Sequence, residues 1–193
     1  MMAYAWDDAE RDAIAVPEGR ADVRGTDHDI PSASDCMACH GGAPSRVLGF
    51  SALQLAHDGD GVTLRSLADR LSAPVTVPPL PGDDATVRAL GTLHANCGHC
   101  HNPRQGRPGA QRCFDPRTPF DFHLRVGDLE RVESTATWRT AVGSAIVPGD
   151  PDASAVVRRM RHRGGFMPGM PPLATEHVDE AGLRAVTAWI ESL

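Results

Sequence analysis

The chain has 193 residues, of which 41% are hydrophobic and only 5% aromatic, and its formal net charge is −6. This composition is typical of a globular protein, and the acidic balance argues against nucleic acid as a partner. No stretch approaches the ~20 apolar residues of a membrane-spanning helix, so we expect no membrane span.

The N-terminal part predicts little regular structure. Residues 1–30 form an irregular lead-in with polar stretches punctuated by glycine. Residues 47–55 and 64–71 each predict a short helix, the second because its apolar side chains recur at helical spacing. The stretch 72–82 contains four prolines, which exclude a regular helix and favour an extended connector.

We place a domain boundary at the end of this connector, so that residues 1–82 and residues 83–193 form two units. The second unit begins with a predicted helix, because Asp83 and Asp84 suit a helix N-terminus. The apolar side chains of this helix lie on one face, at Val87, Leu90 and Leu93.

The rest of the second unit mixes loops and helices. Residues 102–147 predict loops with a small hairpin around residues 120–132. Residues 152–160 and 178–193 predict helices, and the last of these is amphipathic. We therefore expect a mainly α fold, in which a helical domain with extensive loops follows a smaller segment.

Four of the five cysteines fall into two Cys-x-x-Cys-His motifs. They are Cys36-Met37-Ala38-Cys39-His40 and Cys97-Gly98-His99-Cys100-His101. In this motif both thiols can form thioether bonds to the vinyl groups of one heme, and the adjacent histidine binds the iron. The sequence thus predicts two covalently attached hemes c, with His40 and His101 as proximal iron ligands.

A zinc site is the main alternative for the same cysteines. It would use Cys36, Cys39, Cys97 and Cys100, but the two pairs lie much farther apart than the ~15–20 residues of common zinc ribbons. A redox-active pair is also disfavoured, because neither pair follows a strand-then-helix pattern. The remaining Cys113 is expected to be a buried apolar residue.

The sixth ligand of each iron decides whether such a protein carries electrons or reacts with small molecules. For the second heme, the loop over residues 164–173 offers Met167 and Met170, each followed by proline. Proline stiffens the loop and helps hold a thioether on the iron. We favour Met170, because it alone begins the sequence Met-Pro-Pro-Leu.

The first heme lacks an obvious methionine ligand. Met37 lies inside the first motif, and no other methionine lies between it and the second motif. Histidine is therefore the expected donor, with His57 and His28 as candidates. His94 is a third histidine in this part of the chain and lies on the helix that leads into the second motif. The sequence does not decide which histidine binds the first iron.

Several further segments accompany the motifs. They are Ile30-Pro31-Ser32, Val47-Leu48-Gly49-Phe50, Leu93-His94-Ala95-Asn96, Val147-Pro148-Gly149-Asp150-Pro151, Met170-Pro171-Pro172-Leu173 and Trp189-Ile190. With these segments the chain resembles a family of bacterial periplasmic di-heme cytochromes c, and its second half resembles a mono-heme cytochrome c domain. The resemblance implies that the helix before the second motif packs across the C-terminal helix, and that Met170 is the distal ligand there.

The resemblance also implies a role in periplasmic electron transfer. Since heme is attached through thioethers outside the cytoplasm in bacteria, we expect that an export signal was removed from this chain or replaced. The implied partners are redox proteins, such as a dehydrogenase or another cytochrome. An electron carrier is favoured over an enzyme. The alternative is a heme enzyme similar to di-heme peroxidases, with an open sixth position at the first heme.

Overall fold

The computed structural model describes residues 1–41, 46–103, 119–163, 169–172 and 176–193. These residues form a mainly α fold, as the sequence predicts, with six α-helices and one two-stranded sheet. The helices are α1 (Ala33–His40), α2 (Ala52–Leu55), α3 (Asp84–Asn96), α4 (Ala136–Ala141), α5 (Ala155–Arg161) and α6 (Glu180–Ser192). The strands are β1 (Tyr4–Trp6) and β2 (Ala13–Ala15).

The N-terminal lead-in is more regular than its sequence predicts. Strands β1 and β2 pair antiparallel, with Tyr4 opposite Ala15 and Trp6 opposite Ala13. Each strand is only three residues long, which is too short for the alternation of apolar and polar residues to stand out in a sequence.

Helix α1 carries the first cysteine motif. It begins with a capping box: the Ser32 hydroxyl accepts a hydrogen bond from the Asp35 N–H, and the Asp35 carboxylate accepts one from the Ser32 N–H, both at 3.2 Å. The helix ends at His40, so both cysteines and the histidine of the motif lie within it.

The two helices predicted after this motif are shorter than expected. The first is reduced to the single turn of α2, since Gly49 adopts a positive φ of 73° just before it. The second is reduced to a 3₁₀ turn over Ala68–Arg70, which buries no residue. Helical spacing alone does not sustain a helix without a surface on which its apolar face can pack.

Helices α3 and α6 are both predicted from the sequence, and each is 13 residues long. Both are capped by an aspartate: the Asp83 carboxylate accepts the Thr86 N–H, and the Asp179 carboxylate accepts the Gly182 N–H, each at 2.9 Å. Hydrogen bonds from the backbone and hydroxyl of Thr86 also lower the pKa of Asp83. The helices pack against each other, and each buries one apolar face.

The core cluster is built from the second predicted unit. Its buried residues lie between Ala89 and Ile190, with Trp189 almost fully buried at 1% exposure. Leu53 and Leu80 from the first unit pack against it, and both are only partly buried. The division into residues 1–82 and 83–193 stays a prediction.

The hairpin expected around residues 120–132 is wrong for the described chain. This segment forms 3₁₀ turns at Val126–Asp128 and Val132–Ser134 and belongs to no sheet. Its buried part bonds elsewhere: the Phe122 N–H donates to the His101 carbonyl at 2.9 Å, and the Leu124 N–H donates to the His94 ring at 3.2 Å. These donors are thus bonded to the second motif and to α3, so they do not pair with a second strand.

The loop before α5 is tied to the C-terminal helix. The Ser154 hydroxyl donates to the Asp150 carbonyl at 2.8 Å and accepts the Val147 N–H at 2.9 Å. The Gly149 N–H donates to the Ile190 carbonyl at 2.9 Å. These bonds keep the loop folded until Ala155, so α5 begins three residues later than the predicted 152.

Across the described ranges, no helix combines the length and the apolar character needed to cross a bilayer.

Candidate functional site

The second motif forms a tight turn at the end of α3. The Cys100 and His101 N–H groups both donate to the Cys97 carbonyl, at 3.1 and 2.8 Å. Residues three and four positions apart on a helical turn lie on the same side. The turn therefore presents two thiols and one imidazole in the same direction.

Two neighbours hold this turn in place. A Cβ on Gly98 would lie 2.8 Å from the His94 carbonyl oxygen and 2.9 Å from that of Phe122, so only glycine fits there. The buried Asn102 amide donates to the Gly98 and His99 carbonyls at 2.8 and 3.1 Å. The motif is thus fixed by its backbone.

The first motif uses the same spacing inside α1. Cys36, Cys39 and His40 lie on one side of the last helical turn. The His40 Nδ1 lies 2.7 Å from the Arg46 carbonyl oxygen. Because a carbonyl only accepts, Nδ1 donates this bond, and Nε2 is the nitrogen that the neutral ring offers to a metal.

The two motifs meet in space. The ligand atoms of Cys39, His99 and Cys100, which are two sulfurs and one imidazole nitrogen, all lie within 4.8 Å of one another. Cys100 is buried, whereas Cys39 and His99 are half-buried. Neither the sequence separation of the motifs nor their internal spacing predicts this contact, and His99 was not among the predicted ligands.

Apolar surroundings cover the second motif. The His101 ring lies edge-on to Phe122, with ring centroids 5.6 Å apart. Burial raises the pKa of the Cys97 thiol to about 12, although part of the residue's surface is exposed. The Cys97 sulfur is therefore a neutral thiol at ordinary pH, in surroundings that disfavour charge.

His94 is buried behind this motif and is neutral. Its Nδ1 accepts the Leu124 N–H at 3.2 Å, so the proton is on Nε2, and that atom has no hydrogen-bond partner among the described residues. Burial, with repulsion from His123 and His99, lowers the pKa of His94 to about 4. Since neither ring nitrogen has a free lone pair, His94 cannot bind a metal in this arrangement.

His57 and His28, the predicted sixth ligands of the first heme, are not in the group formed by Cys39, His99 and Cys100. His57 is exposed, and its Nδ1 accepts the Gly59 N–H at 3.1 Å. His28 is also exposed, and its carbonyl accepts the Val23 N–H at 2.9 Å. The structure therefore does not single out a donor for the first motif.

Met170 is half-buried beside α5, where its N–H donates to the Arg159 carbonyl at 2.9 Å. Met167 and Cys113 lie outside the described residues. His162 is a neighbour of this loop that the sequence did not indicate. The Gly169 backbone lies so close to the His162 carbonyl that an added Cβ would collide with it. The His162 Nε2 is buried without a hydrogen-bond partner among the described residues. A residue with a buried imidazole nitrogen therefore lies next to Gly169, in the loop that carries Met170.

Comparisons of the chain with protein-family models, with curated proteins and with solved structures find no match.

Proposed function

We propose that this protein is a di-heme cytochrome c that carries electrons in the periplasm. The observation that carries the proposal is the repeated arrangement of two thiols and one imidazole on one side of a helical turn. Two thioether bonds and one axial nitrogen from a single turn are what covalent heme attachment requires. The Cys97–His101 turn and the end of α1 both meet this requirement.

The donor sets fit one c-type heme each. Cys36 and Cys39 would hold the first group and His40 would bind its iron, while Cys97, Cys100 and His101 would do the same for the second. A bound heme supplies reversible one-electron exchange at its iron.

The chain's own residues orient the axial imidazoles. The Arg46 carbonyl accepts a hydrogen bond from the His40 Nδ1, with 2.7 Å between the two atoms, which directs the Nε2 lone pair away from the backbone. Phe122 lies edge-on to the His101 ring, with centroids 5.6 Å apart, and limits its rotation. Apolar residues around the second motif exclude water, which is one of the factors that tune the potential of such a centre.

The contact between the motifs supports electron exchange within the chain. Cys39 and Cys100 lie within 4.8 Å of each other through their sulfurs. Groups attached to neighbouring sulfurs are close enough for rapid exchange. The protein would then act as a relay with two linked centres, and its partners would be redox proteins such as a dehydrogenase or another cytochrome.

The distal ligands remain part of the proposal. Met170 is the favoured sixth ligand of the second iron, and a histidine such as His57 or His28 is proposed for the first. The His57 Nδ1 accepts the Gly59 N–H, so this bond would have to break before that nitrogen binds the iron. The His94 Nδ1 accepts the Leu124 N–H, which leaves the ring proton on Nε2 and disfavours that residue as a ligand. A methionine ligand stabilises ferrous iron, so the second centre would have the higher potential and would receive electrons from the first.

Heme attachment can be tested directly. The full chain, produced in the bacterial periplasm with a c-type maturation system, is expected to show two c-type hemes per chain in a pyridine hemochrome assay. Cys36→Ala and Cys97→Ala are each expected to leave one heme, and the matched control Cys113→Ala two. A chain that matures without covalent heme would rule the proposal out.

The same protein tests the enzyme alternative. Two low-spin ferric centres support electron transfer alone. A high-spin ferric signal that shifts with cyanide or peroxide would instead indicate an open sixth position at one iron.

A further inference from the structure

The group formed by Cys39, His99 and Cys100 has the composition of a soft-metal site. Thiolate sulfur and imidazole nitrogen are the donors that Zn²⁺ prefers in proteins. The sequence argument against zinc was the long separation of the two cysteine pairs along the chain. The separation along the chain does not exclude zinc, because the sulfur atoms of Cys39 and Cys100, one from each pair, lie within 4.8 Å of each other.

The dimensions of the group suit a tetrahedral ion. With Zn–S bonds of about 2.3 Å and Zn–N bonds of about 2.0 Å, neighbouring ligand atoms in a tetrahedral site lie roughly 3.5 Å apart. The three ligand atoms, all within 4.8 Å of one another, therefore need to approach by roughly 1.3 Å at most. Side-chain rotation of the half-buried Cys39 and His99 supplies a movement of this size.

The protonation state of His99 also fits. Its Nδ1 lies 3.3 Å from the Ala95 carbonyl oxygen, which only accepts, so Nδ1 donates this bond and Nε2 is the nitrogen that the neutral ring offers to a metal. A carbonyl that fixes the tautomer of a histidine is the usual second partner of a metal-binding imidazole.

We propose that the chain, before heme is attached, binds one thiophilic divalent cation such as Zn²⁺ through Cys39, His99 and Cys100. Each cysteine releases its thiol proton to the solvent as its sulfur binds the cation, and a water molecule takes the fourth position. This ligand set differs from a four-cysteine site, because it includes His99 and omits Cys36 and Cys97. It does not depend on the electron-transfer role.

The consequence for the chain is a competition between two uses of the same sulfurs. A thioether sulfur has no proton to lose and is a much poorer ligand for Zn²⁺ than a thiolate. The cation would keep both sulfurs reduced and would hold the two motifs together. It would have to leave before heme is attached. The site is therefore a property of the immature chain.

The test uses the full chain with Cys113→Ser, produced without heme maturation and kept reduced; the substitution removes the fifth thiol. Titration with Zn²⁺ against a chromogenic chelator is expected to give one ion per chain. Cys39→Ser, His99→Gln and Cys100→Ser are each expected to weaken binding at least about tenfold. The matched controls Cys36→Ser and Cys97→Ser change the same residue type in the same motifs and are expected to keep the affinity.

Titration of the unsubstituted site with Co²⁺ gives a readout that does not depend on how any ligand variant folds. Tetrahedral visible bands and a thiolate-to-cobalt charge-transfer band are expected. Absence of that band, or equal loss of Zn²⁺ in the Cys36 and Cys97 variants, would overturn the site. A chain that binds Zn²⁺ but never takes up heme would refute only the electron-transfer proposal, and a heme protein whose immature chain binds no Zn²⁺ would refute only this one.

Discussion

Four of the nine histidines fall into two classes according to the role of Nδ1 in a hydrogen bond to the backbone. His40 and His99 donate from Nδ1 to backbone carbonyls, so each keeps a lone pair on Nε2. His94 and His57 accept backbone N–H groups at Nδ1, so each carries its proton on Nε2. Only the first class is ready to bind a metal through Nε2, and both of its members belong to the two cysteine motifs.

The second class leads to a prediction about pH. The pKa of His94 is about 4 in the folded chain and 6.5 as an ordinary value, so the unfolded chain binds a proton first as the pH falls. Stability from the neutral ring is fully present above pH 6.5 and is lost as the pH falls toward 4, by about 2 to 3 kcal/mol. Urea unfolding of wild type and His94→Gln across this window measures the difference.

Glutamine is chosen for this test because its side-chain oxygen can accept the Leu124 N–H without titrating. The variant is expected to lose part of the pH dependence, whereas His177→Gln, at an exposed imidazole, is the matched control and is expected to keep it. An unchanged slope in His94→Gln would show that this ring is not the source.

At the scale of elements, the turn after α3 depends on a glycine. A Cβ on Gly98 would approach the backbone oxygens of His94 and Phe122 to within 3 Å, and backbone atoms cannot move aside as a flexible side chain does. Gly98 thus allows α3 and the segment around Phe122 to approach each other.

Gly98→Ala is therefore expected to destabilise the chain by about 1 to 3 kcal/mol and to lower heme occupancy of the second motif more than that of the first. Urea unfolding and the hemochrome assay measure both effects. Gly91→Ala is the matched control in the middle of α3, where a new Cβ meets nothing within 4 Å. It is expected to stabilise the chain by about 0.5 to 1 kcal/mol, and equal effects of the two substitutions would contradict the steric argument.

Sequence predicted the long elements well and the short ones poorly. Helices α3 and α6 combine aspartate caps with an apolar face, so local signals and packing agree. Helix α1 has no comparable apolar face. The hairpin predicted around Phe122 is wrong, because the backbone donors of that segment bond to partners that are distant in sequence. The residue spacing within each motif was enough to predict how its cysteines and histidine lie relative to one another. The contact between the two motifs joins residues that are far apart in the sequence, and no local pattern predicts it.

At the scale of the whole molecule, the two motifs have unequal surroundings. The second lies against the core cluster, where Leu93 is fully buried. Met170 is its proposed distal ligand. The first lies on α1, outside that cluster. The two centres are therefore expected to differ in potential, although they would share one electron path.

A redox titration of the mature protein is expected to resolve two potentials, with the higher one at the second centre. Met170→Ala is expected to abolish the long-wavelength charge-transfer band of methionine-ligated ferric heme and to lower that potential, because a thioether stabilises ferrous iron. Met167→Ala is the matched control and is expected to keep both. Equal potentials in the wild type, or a higher potential at the first centre, would contradict this order.

Both cysteine motifs lie at the carboxyl ends of helices, the first within the last turn of α1 and the second directly after α3. The aligned peptide dipoles of a helix place the equivalent of about half a negative charge at that end. Because the motifs meet through Cys39 and Cys100, two such ends converge on one region. The backbone alone therefore makes this junction favourable for a positively charged occupant, and without one the two helix ends would repel each other.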